Sequence, residues 1–219
     1  MKNERKNNKT GLICGRGRSL IKYKDLFDQH YEFVCLVNEF NTFIRSDKLL
    51  LQFLNEKSEG GYLTQLVNIE MAGVDAYLLE NINVKEITIA RLAYNGKDPI
   101  WRPRVDLDRF KNLGMDLTPQ PDALSPYMKY IENSLGIAIL NLILDKECDR
   151  IDIIGSDFYE EEYYLDATFI NALHRDCANR LKKGIDKLVE TFSDVTFNIY
   201  TFSTYKSSFD NCHVFPVSQ

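Results

Sequence analysis

The residue pattern with the most chemical meaning lies near the start of the chain, in Thr10-Gly11-Leu12-Ile13-Cys14-Gly15-Arg16-Gly17-Arg18-Ser19. A short apolar run over 11–14 leads straight into Gly15-x-Gly17-x-Ser19, and helical spacing begins at Ser19. Strand, glycine turn and helix N-terminus in that order turn backbone N–H groups and the positive end of a helix dipole toward an anion. A nucleotide phosphate is the usual occupant of such a turn. Asn38 and Asn68 close two further apolar runs. An amide both donates to and accepts from ribose hydroxyls or a base edge, and asparagine equally suits a plain left-handed turn. Gly155-Ser156-Asp157-Phe158-Tyr159 follows the run 151–154, with Tyr163 and Tyr164 beyond it. Phenolic hydroxyls just past a strand can bind a phosphate or help protonate a departing one; the alternative is core or lid packing. Glu160-Glu161-Glu162 between them reads as a solvated acidic loop.

These residues converge only if the elements around them form one sheet. Strand-like runs at 11–14, 31–37, 62–69, 86–92, 151–154 and 195–200 alternate with helical spacing at 19–28, 46–57, 74–82, 126–146 and 166–192. The pattern predicts an α/β protein: a single Rossmann-like domain over 10–219 with a twisted, mainly parallel sheet of about six or seven strands and helices on both faces. Right-handed crossovers then bring every strand C-terminus to one edge, where ligands bind. The site would be built from loops 15–19, 38–41, 68–73, 93–125 and 155–164. Residues 93–125 are irregular and proline-rich, with a short helix expected over 106–113; 156–173 reads as a short lid-like segment, and the last residues as a coda.

The 219 residues are 44% hydrophobic and 27% charged with a net charge of −5, ordinary for a soluble globular chain. That balance offers no broad basic field and argues against a nucleic-acid partner. Residues 1–9 form a disordered basic tail carrying Lys2, Arg5, Lys6 and Lys9. Five cysteines without a C-x-x-C pair point to a reducing compartment. No signal peptide is visible, and no apolar run approaches the ~18 residues of a membrane span. The expectation is a cytoplasmic protein, with contact of the basic tail to the inner face of a membrane as an alternative.

Two other chemistries suggest themselves. Two glycines of a dinucleotide G-x-G-x-x-G turn are present, with Leu20 in the third place, and Glu39 lies about twenty residues on, where an acid would hold a ribose in an NAD site. Asp106-Leu107-Asp108 has metal-binding spacing, but it precedes a short helix where aspartate is a common cap; no metal is expected. Trp101-Arg102-Pro103-Arg104 could recognise an acidic sugar or be a surface loop.

Leu12-Ile13-Cys14-Gly15-Arg16-Gly17-Arg18-Ser19-Leu20, Val37-Asn38, Val67-Asn68 and Ile153-Ile154-Gly155-Ser156-Asp157-Phe158-Tyr159 together resemble the bacterial sialyltransferases of glycosyltransferase family 42. That family has an xGNGPSL turn after strand one, asparagines ending strands two and three, and an SGxDFY strand end; Ser134-Leu135-Gly136 precedes Gly155 at about its interval. The resemblance covers most of 11–205. It implies one nucleotide-binding domain, a CMP-sialic acid donor, a glycan acceptor, no metal or other cofactor, and a homo-oligomer. Carried over, Gly15, Arg16, Gly17 and Ser19 would face the phosphate. Asn38 and Asn68 would bind nucleotide or sugar, and Ser134 and Gly136 would approach the base or donor sugar. Gly155, Asp157 and Phe158 would complete the donor site, Tyr159 with Tyr163 or Tyr164 would hold the leaving phosphate, and His174 would be the general base.

The chain departs from the family in three places. Arg16 replaces the asparagine of the turn, Glu132 and Asn133 stand where an arginine precedes Ser134, and the interval from Tyr164 to His174 is shorter than the family's lid. Three functions follow: a sialyltransferase-like glycosyltransferase, a catalytically inactive or reassigned nucleotide-binding relative, and an NAD-binding oxidoreductase.

Overall fold

A computed structural model describes residues 8–38, 40–68, 76–90, 116–119, 134–161 and 172–217. Its centre is one eight-stranded sheet. The strands are β1 (Thr10–Cys14), β2 (Phe33–Val37), β3 (Tyr62–Asn68), β4 (Glu86–Ala90), β5 (Asp116–Pro119), β6 (Arg150–Ile154), β7 (Thr196–Thr201) and β8 (Cys212–Pro216). The order is β5-β4-β3-β2-β1-β6-β7-β8, and every neighbouring pair is parallel. The expected Rossmann-like α/β architecture is therefore present, with more strands than the sequence pattern marks. The two additional ones, β5 and β8, are the sheet's edges and both end in proline. Proline donates no ladder hydrogen bond and is tolerated only at such edges, and that same residue hides these strands from a reading of apolar alternation.

The helices are α1 (Asn41–Ser46), α2 (Lys48–Gly60), α3 (Ala76–Asn81), α4 (Ser134–Leu140), which runs on into a π turn Asn141–Asp145, and α5 (Ala172–Thr191). The segment expected to be a helix over 19–28 is a 3₁₀ helix, Arg18–Asp25. The helix expected over 46–57 is α2, which starts at Lys48 because Asp47 leaves helical geometry and its carboxylate caps the helix by accepting from the N–H groups of Leu49 and Leu50; α1 precedes it as an additional short helix. Among the described residues, no helix is long and apolar enough to cross a membrane.

Strand residues alternate between two cores. Ile13, Cys35, Val37, Ile151, Ile153 and Phe197 pack under α4 and α5 on one face. Leu12, Cys14, Val34, Leu36, Leu63 and Ile154 pack under the 3₁₀ helix and α1–α3 on the other. The connection from β7 to β8 has no helix; Tyr205 and Phe209 fill that part of the first core instead. Connections change face where the strand order reverses, between β1 and β6. That is the topological switch point of an open α/β sheet, where a crevice for ligands usually opens.

One buried polar group crosses the second core. Asp152 is fully buried, accepts from Tyr31 Oη at 2.8 Å and Asn198 Nδ2 at 2.7 Å, and receives Arg150 through Nε at 3.0 Å and Nη2 at 2.7 Å. Burial, then the adjacent Asp152 carboxylate, push the Tyr31 phenol far up, so it stays a donor. Removing one partner of such a buried network strands the others. Asp152→Ala should therefore cost about 3–5 kcal/mol, read from urea denaturation. Gly60, at the end of α2, has nothing within 4 Å of the point where a Cβ would stand, and Gly60→Ala should be neutral or stabilise by about 0.5 kcal/mol in the same assay.

Candidate functional site

At the switch point the backbones of β1 and β6 run on together past their strands. Gly15 N–H donates to Ile154 O at 2.8 Å, and Gly17 N–H donates to Gly155 O at 2.7 Å. A Cβ on Gly15 would lie 2.3 Å from Gly155 O, and one on Gly155, which sits at φ +70°, would lie 2.2 Å from Gly15 O. Both positions demand glycine because two chains touch there. The turn expected to cradle a phosphate is thus held against the neighbouring strand end.

Ser19 shares in this packing. Its N–H donates to Asp157 Oδ2 at 2.8 Å and its Oγ accepts from Gly155 N–H at 3.0 Å, in a fully buried position. The other oxygen of Asp157 accepts from Thr201 Oγ1 at 3.0 Å and from Phe202 N–H at 2.9 Å. The N-terminus of the 3₁₀ helix therefore already has an anion, and it belongs to the protein. The expectation that Gly15, Gly17 and Ser19 face a ligand phosphate is corrected here: the N–H groups of all three are spent inside the fold.

Phe158 and Tyr159 follow at φ 50° and 58°. Two consecutive bulky residues in the left-handed region cost roughly 1–2 kcal/mol each, so neighbours must hold them. Phe158 stacks on Tyr205 with ring centroids 4.7 Å apart, and Tyr205 Oη donates to Asp186 at 2.7 Å. Glu160 accepts from Thr204 N–H at 2.6 Å and from the Lys182 ammonium. Phe158 is thus a buried core residue rather than one facing a ligand. Tyr159 is half-buried beside the α4/α5 core.

On the other flank of the turn, Asn38 closes β2 in the left-handed conformation (φ 69°). Ser134 Oγ donates to Asn38 Oδ1 at 3.3 Å across 96 residues of chain. Asn38 is thus a left-handed turn residue, and its amide oxygen also accepts from a second polar side chain. Gly136 is buried in the first turn of α4, and Arg16 is half-buried between the two flanks. Asn68 is the last residue of β3, in register with Ala90 at the same edge. His174 lies in the first turn of α5, the end that topology brings to that edge. Tyr163, Tyr164, Glu39, Trp101 to Arg104 and Asp106 to Asp108 lie outside the described residues.

The loop after β7 is missing from the expected site. Thr201, Phe202, Thr204 and Tyr205 hold Asp157, Phe158 and Glu160, so this loop forms a wall of the edge. The sequence does carry the signal: a parallel strand over 195–200 must end at the same edge as the others. The free cysteines Cys14, Cys35, Cys148 and Cys212 are all buried. Burial raises the Cys14 thiol far above its usual value and Cys148 to about 12, so neither supplies a thiolate nucleophile at neutral pH.

No protein-family model matches this chain, and no curated protein matches it.

Two outcomes follow from this geometry. Gly15→Ala should cost about 3 kcal/mol or more, seen as a large fall in Tm, because backbone rather than a yielding side chain opposes the methyl group. For Glu160, burial alone would raise the carboxyl, but the Lys182 and Thr204 hydrogen bonds outweigh it and set it below its usual 4.5. Its anchoring contributes fully above that value and is lost as the pH falls through the lower folded one. Glu160→Gln should therefore be less stable than the parent at about pH 7, with the gap narrowing as the pH falls below the usual carboxylate range, in urea denaturation across a pH series.

Proposed function

We propose that this chain is a glycosyltransferase-like protein that uses a nucleotide-activated sugar, with sialyl transfer from CMP-sialic acid to a glycan hydroxyl as its reaction. The observation that carries the reading is the meeting of Asn38 and Ser134 at the end of β2, beside the Gly15–Gly155 crossing. Two uncharged polar side chains, distant in sequence, converge at the ligand edge of the sheet at the two positions that the family resemblance assigns to the donor. Buried free thiols fit a reducing, cytoplasmic setting for such a reaction.

In this reading the imidazole of His174 takes the proton of an acceptor hydroxyl. The hydroxyl oxygen attacks the anomeric carbon from the face opposite the phosphate. The bond from that carbon to the phosphate oxygen breaks, CMP leaves with the electron pair, and configuration inverts. An imidazole with an ordinary pKa of ~6.5 suits this base role. Tyr159, with Tyr163 or Tyr164, would donate to the departing phosphate. Gly15, Gly17, Ser19 and Asp157 would shape the edge rather than touch the donor, which leaves the phosphate to the tyrosines and Arg16.

A second reading, a relative that binds nucleotide without transferring sugar, is favoured by the commitment of the turn's N–H groups to Ile154, Gly155 and Asp157. The same commitment weighs against NAD, whose pyrophosphate would need those groups.

Calorimetric titration with CMP, CDP, UDP and NAD separates these readings. Cytidine nucleotides should bind, and Asn38→Ala or Ser134→Ala should weaken CMP about five-fold or more. A response to NAD alone removes the glycosyltransferase reading. His174→Ala should lower donor hydrolysis or transfer by about 10²-fold or more while CMP affinity stays the same; CMP binding without any turnover by the parent protein selects the binding relative.

A further inference from the structure

Away from the strand ends, one surface of the sheet margin remains unassigned. The 3₁₀ helix covers β6 and β7 on the second-core face, but β8 beyond them is the edge of the sheet. In β8, Val214 packs into the first core, so His213 and Phe215 point to the opposite face. Both are exposed, Phe215 at 42%. Phe215 stacks on Tyr200 of β7 with centroids 5.0 Å apart and planes at 19°, and His213 lies 6.5 Å from Phe215. Two cations of the 3₁₀ helix lie over rings at the end of β7 and just beyond it: Lys22 Nζ is 5.6 Å from the Tyr200 ring and Arg18 Cζ 5.2 Å from the Phe202 ring.

Each cation has an acidic neighbour, Asp25 for Lys22 and Glu161 for Arg18. Arg18 meets Glu161 at 3.4 Å with both side chains partly exposed. Solvent-exposed pairs of this kind contribute only ~0–1 kcal/mol, so an arriving anion can replace the carboxylate. The patch thus combines one exposed ring, Phe215, on which the C–H face of a sugar ring can lie, braced from below by Tyr200, with two cations of the 3₁₀ helix near the adjoining Tyr200 and Phe202. A neutral glycan would leave the cations unused, and a chain with a net charge of −5 has no general attraction for anions.

We infer that this margin is a docking platform for an acidic oligosaccharide, with Phe215, braced by Tyr200, as the stacking surface and Lys22 and Arg18 paired to its carboxylates. The inference rests on the glycosyltransferase reading and deepens it: the platform holds an acidic acceptor chain beside the edge where the donor binds. Phe202 joins the two regions, because its backbone N–H is held by Asp157 and its ring by Arg18.

The test is calorimetric titration of the full chain with oligosialic acid and oligogalacturonate tetramers, and with maltotetraose as the neutral control. At least one acidic tetramer should bind, more weakly as salt rises, and maltotetraose should not. Phe215→Ser, Arg18→Gln and Lys22→Gln should each weaken that binding about five-fold, with circular dichroism confirming that these surface variants fold. Failure of both acidic tetramers to bind, equal binding of maltotetraose, or variants that bind like the parent overturns the inference. Binding confined to anionic lipid vesicles or to single-stranded RNA overturns it in favour of that partner. CMP titrated against the Phe215→Ser protein keeps the two readings apart. Acidic tetramers that bind a parent protein unable to bind CMP would retain the platform and remove the transferase reading. CMP binding that persists while the tetramers fail would do the reverse.

Discussion

The close approach of Gly15 and Gly155 is the constraint on which the working edge of this protein depends. Two backbones that pass at the distance where a Cβ would sit 2.2–2.3 Å from a carbonyl oxygen cannot also admit a ligand between them. At this switch point, where an open α/β sheet normally leaves a crevice, the ends of β1 and β6 stay joined by continued hydrogen bonding. The polar groups of the candidate site stand on the two flanks of this crossing. On one lie Asn38 and Ser134; on the other lie the strained Phe158–Tyr159 corner and the loop after β7.

Asp157 makes that arrangement electrostatically self-sufficient. One oxygen of its carboxylate, Oδ2, sits where the 3₁₀ helix would favour a bound anion, and the other, Oδ1, reaches the end of β7. Three strand ends are tied to one charged group, and each of its bonds is of the charge-assisted kind, roughly twice as strong as a neutral one. The left-handed Phe158 and Tyr159 are tolerable because Asp157 fixes the residue before them and Glu160 the residue after. Strain at such a corner persists only where its surroundings over-determine it.

Much of the fold is legible in the sequence. β1, β2, β6 and β7 are short apolar runs with the expected bounds, within a residue or two, and their alternation with helices implies a parallel sheet. What the pattern hides are short edge strands that end in proline: Asp116-Leu117-Thr118-Pro119 and Cys212-His213-Val214-Phe215-Pro216 are strands because a neighbour pairs with them. For the candidate site, the sequence offers candidates and not their wiring. Asn38 stands out at its strand end, Ser134 only through the family resemblance, and the contact between them needs the fold. Gly15-x-Gly17-x-Ser19 looks like a phosphate cradle because glycine and a helix start are also what a tight backbone crossing requires. Nothing local to Asp157 announces that it caps a helix 138 residues away in sequence.

The order in which the chain is made adds a consequence. β1 to β5 are neighbours in space in the order of synthesis, so that half of the sheet can assemble as it leaves the ribosome. β1 then waits for β6, and Ser19 waits for Asp157, which itself lacks its last partners until Thr201 and Phe202 have emerged. Long-range parallel pairing is slow to form. Until it does, the nascent protein carries one complete face and one bare face, because Ile13, Cys35 and Val37 have neither α4 nor α5 over them. The hydrogen bonds around Asp157 are therefore completed late, and a chain halted before Phe202 would leave that apolar face for chaperones to cover.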